Sequence, residues 1–166
     1  MNAASRAFYI RAQFDFGVPV IATHRPATPD DAPRLFELRR ESIIALAPHG
    51  MSVSDAEIWA RNLSIPGMEL KIREMEILVA EIDGQVVGWG AICGDRLEGL
   101  YTDPDFAGRG IGTELLSKLE VLMLARGVRT IRAEASLNAE GFYLRRGYEP
   151  LGSPIGAARQ IIKRLA

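Results

Sequence analysis

Hydrophobic positions recur along this chain with two periods, and each change of period marks a boundary between elements. Val20 to Arg25 alternates as a strand. Thr28-Pro29-Asp30-Asp31 then has the form of a helix start, with Thr28 at the N-cap, Pro29 at N1 and acids in the first turn. Leu35, Leu38, Ser42, Ile43 and Leu46 supply that helix's inner stripe, and Pro48-His49-Gly50 ends it. Ser52 and Asp55 can cap a second helix carrying Ile58, Trp59, Asn62 and Leu63. Pro66-Gly67 reads as a break, followed by a short helix over Met68 to Met75.

Period two takes over at Ile77 to Ile82. Asp83-Gly84 is a strong hairpin signal, and Val86 to Ile92 is the returning strand. After a turn at Gly94-Asp95-Arg96 comes a strand from Leu97 to Thr102, stopped by Asp103-Pro104, since proline has no N–H for a ladder. Ile111, Leu115, Leu116, Leu119, Leu122 and Met123 then form one stripe of a helix over residues 110–126, with Gly127 as its stop. Thr130 to Ala135 is a strand, residues 139–146 a short helix ended by Gly147, and Tyr148 to Leu151 and Ala157 to Lys163 the last two strands. The order β-α-α-β-β-β-α-β-α-β-β predicts one α/β sandwich around a mixed sheet, too antiparallel to be doubly wound.

Composition bounds the function. A chain of 166 residues suits one domain. Its net charge of −1 argues against nucleic acid as the main partner, because such domains carry a basic excess. No apolar run reaches the roughly 20 residues of a membrane span, so no membrane partner is expected. The single cysteine, Cys93, excludes an internal disulfide and fits a cytoplasmic location; lying in the apolar run Val86 to Cys93, it reads as a buried structural thiol. Two histidines, His24 and His49, give no metal-ligand spacing, so no metal is expected. Residues 1–21, with Arg6, Arg11 and no acid before Asp15, read as an N-terminal extension lacking the apolar segment of a targeting peptide. The remaining residues, 22–166, form the domain.

The chemistry is concentrated in Glu98 to Leu116. A strand runs into the alternating glycines Gly108, Gly110 and Gly112, and a helix follows at once. Glycines permit φ > 0 and leave room for backbone N–H groups to converge on an anion, and the helix start adds unpaired N–H groups and a positive dipole end. Together these make a phosphate site; a plain strand-to-helix turn seldom needs three such glycines. A P-loop would place Lys-Ser/Thr after the last glycine, where this chain has Thr113-Glu114. A dinucleotide fingerprint would need a glycine at 113 or 115, which are Thr and Leu.

The spacing instead resembles the acetyl-CoA pyrophosphate loop of the GCN5-related N-acetyltransferases, the GNAT superfamily. That signature, Arg/Gln-x-x-Gly-x-Gly/Ala after a strand reading roughly L-x-V-x-P, corresponds to Ala107-Gly108-Arg109-Gly110-Ile111-Gly112 after Leu100-Tyr101-Thr102-Asp103-Pro104. Ala107 departs from it, with Arg109 as a candidate to compensate. A second stretch, Asn138 to Tyr148, is similar to the family's later motif N-x-x-x-x-F-Y-x-x-x-G-F/Y, about 30 residues further on. The resemblance covers residues 22 to 166 and implies a mixed, largely antiparallel sheet flanked by helices, with acetyl-CoA where strand 97–102 splays from strand 130–135.

The resemblance also implies roles. Leu100, Tyr101, Thr102, Ala107, Gly108, Arg109, Gly110, Ile111, Gly112, Thr113 and Asn138 would contact acetyl-CoA, and a backbone N–H between Leu100 and Thr102 would stabilise the oxyanion. Tyr143 would be the acid, its hydroxyl reaching the coenzyme A sulfur, against a purely core role for this aromatic. Glu98 would act as base through water, with a solvated strand-end carboxylate as the competing reading and Glu134 as runner-up. Asn138 could cap the short helix and reach the pantetheine. The acceptor would be an amine on a small molecule or peptide, its selectivity lying in the early helices and the 152–156 loop; Trp59 and Met68 read there as pocket walls or, more simply, as helix packing. A non-catalytic acyl-CoA sensor is the alternative, and a homodimer stays open.

Overall fold

β2 (Glu76–Ile82) and β3 (Gln85–Cys93) form the hairpin that Asp83-Gly84 signals, with Asp83 at φ 51° and Gly84 at φ 76°. Two positive angles in succession are what a type I′ turn requires. The computed structural model describes residues 21–46, 52–54, 57–58 and 63–166. The expected helix over residues 52–63 and its Trp59 fall largely outside these, as do His49 and the N-terminal extension.

β1 (Thr23–Pro26) and β4 (Arg96–Thr102) flank the hairpin antiparallel. β5 (Thr130–Ser136) joins β4 in parallel, and the hairpin of β6 (Glu149–Ile155) and β7 (Ala158–Arg164) completes the order β1-β2-β3-β4-β5-β7-β6. β3 is buried from Val86 to Ile92 because helices cover both its faces. On one side α1 (Ala32–Leu46) and α2 (Ile65–Glu74) bury Leu35, Leu38 and Met68 against Val79 and Trp89. The Trp89 indole N–H donates to Leu35 O at 3.1 Å, which satisfies the one polar atom of a ring with no exposed surface. On the other side α3 (Ile111–Ala125) buries Ile111, Leu115, Leu116, Leu119 and Met123. α4 (Glu140–Leu144) is a short connection before β6.

Ahead of α1, Asp31 closes the expected cap: its carboxylate accepts from Thr28 N at 2.7 Å and from the Arg25 guanidinium at 2.7 and 2.8 Å. The bonds to Arg25 hold that carboxyl below the usual carboxylate range.

Several local expectations are corrected. Pro66-Gly67 does not interrupt the chain; it lies in the first turn of α2, where a missing N–H costs nothing, and Ser64 Oγ caps the helix by accepting from Gly67 N at 3.1 Å. Of the two readings of Met68, helix packing holds: it is core, 3% exposed. Cys93 is exposed, because it is the last residue of β3 and pairs with Arg96 at the hairpin tip, beyond the reach of the covering helices. The expected 152–156 loop is mostly strand: β6 runs to Ile155 with its register shifted between Leu151 and Ile155. The short helix ends at Leu144, two residues early.

Candidate functional site

The site begins with an extra residue in β4. Ala91 pairs with Gly99 and Ile92 with Leu97, so Glu98 is bulged out of the ladder. A bulge increases twist and bends its strand. Gly99 permits the tight geometry, since a Cβ there would lie 2.9 Å from the Tyr101 ring. β4 pairs with β5 only at Arg96↔Arg132 and Leu97↔Ala133. Beyond that point β5 stays with β7 and β4 stays with β3, and the two separate. Between them lies a cavity of about 160 Å³ with Leu97 to Tyr101 on one wall and Glu134 to Ser136 on the other. Ser42 and Ile43 of α1 form a further side, and Asn138, Ala139 and Tyr143 complete the lining.

At the end of β4, Asp103 is 6% exposed and triply held: its N–H donates to Val87 O at 2.8 Å, its Oδ1 accepts from Asp105 N, and its Oδ2 accepts from Arg34 Nη2 at 2.8 Å. These bonds fix where the chain leaves the sheet for a 3₁₀ turn at Pro104–Phe106 and the glycine loop. Gly108 and Gly110 have φ of 76° and 87°, and a Cβ at either would meet nothing within 4 Å. The space above the loop is therefore open, as a bound pyrophosphate requires.

Gly110 is the N-cap of α3 and offers no side-chain cap. Glu114 N is the first to reach back, donating to Gly110 O at 2.9 Å, so the N–H groups of Ile111, Gly112 and Thr113 have no intrahelical acceptor. A missing cap costs about 1 kcal/mol. Each of the five buried apolar side chains of α3 contributes about 1.5–3 kcal/mol, so burial holds the helix and its first turn can stay unsatisfied for a ligand. Gly112 lies within α3, and its place is one of close approach: a Cβ would come 3.4 Å from Thr102 Oγ1 and 3.6 Å from the Phe142 ring.

The expected phosphate residues divide. Ala107 N donates to Pro104 O at 3.3 Å in closing the 3₁₀ turn. Arg109 folds over its own loop, 5.1 Å from the Phe106 ring centroid. Sequence reading missed Arg146. Its guanidinium stacks 3.7 Å over Phe142 and donates to Phe142 O at 2.7 Å and to Thr113 Oγ1, which sets a cation at the first turn of α3. The available signal was an arginine one helical turn after an aromatic in the second motif. Arg34 had no such signal, since its partner Asp103 lies 69 residues away.

Tyr143 is 7% exposed, packed edge-on against Phe142 at 5.1 Å and Tyr148 at 5.3 Å, yet it also lines the cavity. Tyr143 is thus packed in the core and also open to the cavity. Burial, and secondly the neighbouring Tyr101, raise its pKa well above the ordinary phenol value. Glu98 reaches the cavity while accepting from Arg96 Nε at 3.0 Å, and Glu134 does so while accepting from Gln160 Nε2 at 2.7 Å. Asn138 does not cap α4; Ala139 holds that position, and Asn138 Oδ1 accepts from Ser136 Oγ at the cavity wall. Among the described residues no helix is long and apolar enough to cross a membrane, and no group of three or more potential metal ligands converges.

Residues 53–161 match the family model described as an acetyltransferase (GNAT) domain. The fold is similar to the crystal structure of a GCN5-related N-acetyltransferase from Rhodopseudomonas palustris, at 29% identity and a TM-score of 0.82, covering 91% of this chain and 100% of that one. It is also similar to PaiA N-acetyltransferase from Thermoplasma acidophilum in complex with coenzyme A, at 23% identity and a TM-score of 0.76, covering 87% of this chain and 99% of that one.

Proposed function

The chain belongs to the GNAT acetyltransferase family, and from that premise we propose that it transfers the acetyl group of acetyl-CoA to a primary amine on a small molecule or peptide. The observation that carries this reading is the continuity of three features: a cavity between splayed strands, a glycine loop with open space above it, and an uncapped helix start beside Arg146. Acetyl-CoA has the matching sequence of parts, a thioester, an extended arm and a pyrophosphate. The coenzyme A complex of the Thermoplasma relative supports the same assignment.

In the reaction the amine nitrogen bonds to the acetyl carbon, the C–S bond breaks, and the amine loses a proton. Glu98 takes that proton through water, held at the cavity by the β4 bulge. A backbone N–H between Leu100 and Thr102 faces the developing oxyanion. Tyr143 acts by hydrogen bond. Its raised pKa means that full proton transfer to a thiolate, ordinary pKa about 8.5, would run uphill, whereas a phenol that keeps its proton can donate to the sulfur throughout bond cleavage. The thiolate then takes its proton from solvent. Asn138 and Ser136 line the path of the pantetheine arm, and the N–H groups of Ile111 to Thr113 take the pyrophosphate with Arg146.

The direct test is thermal stability with ligands. CoA or acetyl-CoA at a hundred times its Kd should stabilise the fold by about 2.7 kcal/mol, roughly 5–10 °C in a domain of this size. ATP and NADH should leave the melting temperature unchanged. Equal stabilisation by ATP would contradict the assignment to coenzyme A.

A further inference from the structure

The cavity carries a charge that acetyl-CoA does not answer. Its lining includes two carboxylates, Glu98 on β4 and Glu134 on β5, and no lysine, arginine or histidine among the described residues. Glu98 is paired with Arg96. Glu134 is exposed and accepts a hydrogen bond at 2.7 Å from the Gln160 amide, which is neutral. The neighbouring arginines of β5 and β7 are bound to other acids, Arg132 to Asp95 at 3.3 Å and Arg159 to Glu140 at 2.7 Å. Arg39 lies over the Tyr101 ring but is not part of the lining. From α1 the lining gains Ser42, which is 6% exposed. A serine within a helix can bond back to the carbonyl four residues earlier; among the described residues the Ser42 hydroxyl has no hydrogen-bond partner.

A carboxylate on a cavity wall loses water when substrates fill the cavity, which is unfavourable unless a cation joins it. Acetyl-CoA offers none, since its thioester and arm are neutral and its phosphates are anionic. The reacting amine is no lasting counterion either, because it attacks only after giving up its proton. We propose that Glu134, with the Ser42 hydroxyl, binds a second cationic group of the acceptor, so that the amine acetylated here is a diamine or another amine bearing a further positive charge. This inference rests on the proposed acetyl transfer and names its substrate class. The two carboxylates stand on opposite walls of the splay and divide the work. Glu98 takes the proton, and Glu134 holds the end of the acceptor that does not react. An acceptor with a carboxylate at that end meets Glu134 as a like charge and is rejected.

The test is amine-dependent thiol release from acetyl-CoA by the full chain. Putrescine, pentylamine and γ-aminobutyrate are offered separately; they match in length and differ in the far end, which is an ammonium, a methyl group or a carboxylate. Putrescine should exceed both others by at least roughly tenfold in kcat/KM, the value of one charge-assisted hydrogen bond. Glu134→Gln should remove most of that preference through a higher KM for putrescine, with a smaller effect on pentylamine. Ser42→Ala should raise the putrescine KM by roughly two- to tenfold, the value of a neutral hydrogen bond. Glu134→Lys should turn the preference toward γ-aminobutyrate. The stabilisation by acetyl-CoA described above reports that each variant is folded. Turnover of pentylamine or γ-aminobutyrate equal to that of putrescine, a preference unaltered in Glu134→Gln or Ser42→Ala, or one and the same loss for putrescine and pentylamine in Glu134→Gln would overturn the inference, the last by making Glu134 the base. These outcomes leave acetyl transfer standing; failure to bind coenzyme A would remove the transfer itself.

Discussion

Replacing Tyr143 by Phe should lower kcat by roughly 10²-fold, the lower range for removing one donor aimed at developing charge, with little change in the KM for acetyl-CoA. The ring keeps its edge contacts with Phe142 and Tyr148, so packing survives and only the hydroxyl goes. That hydroxyl matters most once negative charge has built up on sulfur, which places the loss in the transition state and not in binding. Because the phenol keeps its proton far above neutral pH, the wild-type pH–rate profile should show no limb belonging to Tyr143 below pH about 10, the ordinary phenol value. Steady-state kinetics and a denaturation curve on the same variant separate the alternatives. A residue that is only core would give altered stability with nearly normal turnover. Should product dissociation limit kcat, the single-turnover rate carries the comparison.

Gly110→Val should weaken coenzyme A binding by at least roughly tenfold, the loss of a single charge-assisted hydrogen bond. The residue sits at φ 87° as the N-cap of α3, with open space where a side chain would project. Valine would fill that space, and its strain in the left-handed region would cost about 1–2 kcal/mol. Strain alone also destabilises, so a control is needed. Gly127 has φ 84° and equally open surroundings at the far end of α3. Gly127→Val should give a comparable fall in melting temperature with unchanged affinity by isothermal titration. If both variants bind coenzyme A like the parent protein, the glycine loop is only a turn.

The sheet and its helices were legible in the sequence because their signals are local. Alternation marks β2 and β3, Asp83-Gly84 marks their turn, and the stripe from Ile111 to Met123 marks α3. The glycine loop was legible for the same reason, since its chemistry depends on consecutive residues. Errors arose where a residue's meaning depends on position within an element. Pro66 is a breaker inside a helix and neutral in its first turn, and Ser64 decided which it was. Cys93 shares an apolar run with buried neighbours but stands at the strand's end. What the sequence could not disclose is pairing across long separations. The Glu98 bulge exists only in relation to Ala91 and Ile92, and Arg34 finds Asp103 through the tertiary fold.

The central claim is that this protein catalyses acetyl transfer to an amine. It is tested most directly by following free thiol and acetylated amine together, with acetyl-CoA and each of a panel of primary amines in turn. The account predicts that both products appear in equal amounts, only when protein, acetyl-CoA and amine are all present. Stabilisation of the fold by acetyl-CoA with no amine-dependent thiol release from any amine offered would contradict it, and would identify the protein as a module that binds the thioester without turning it over.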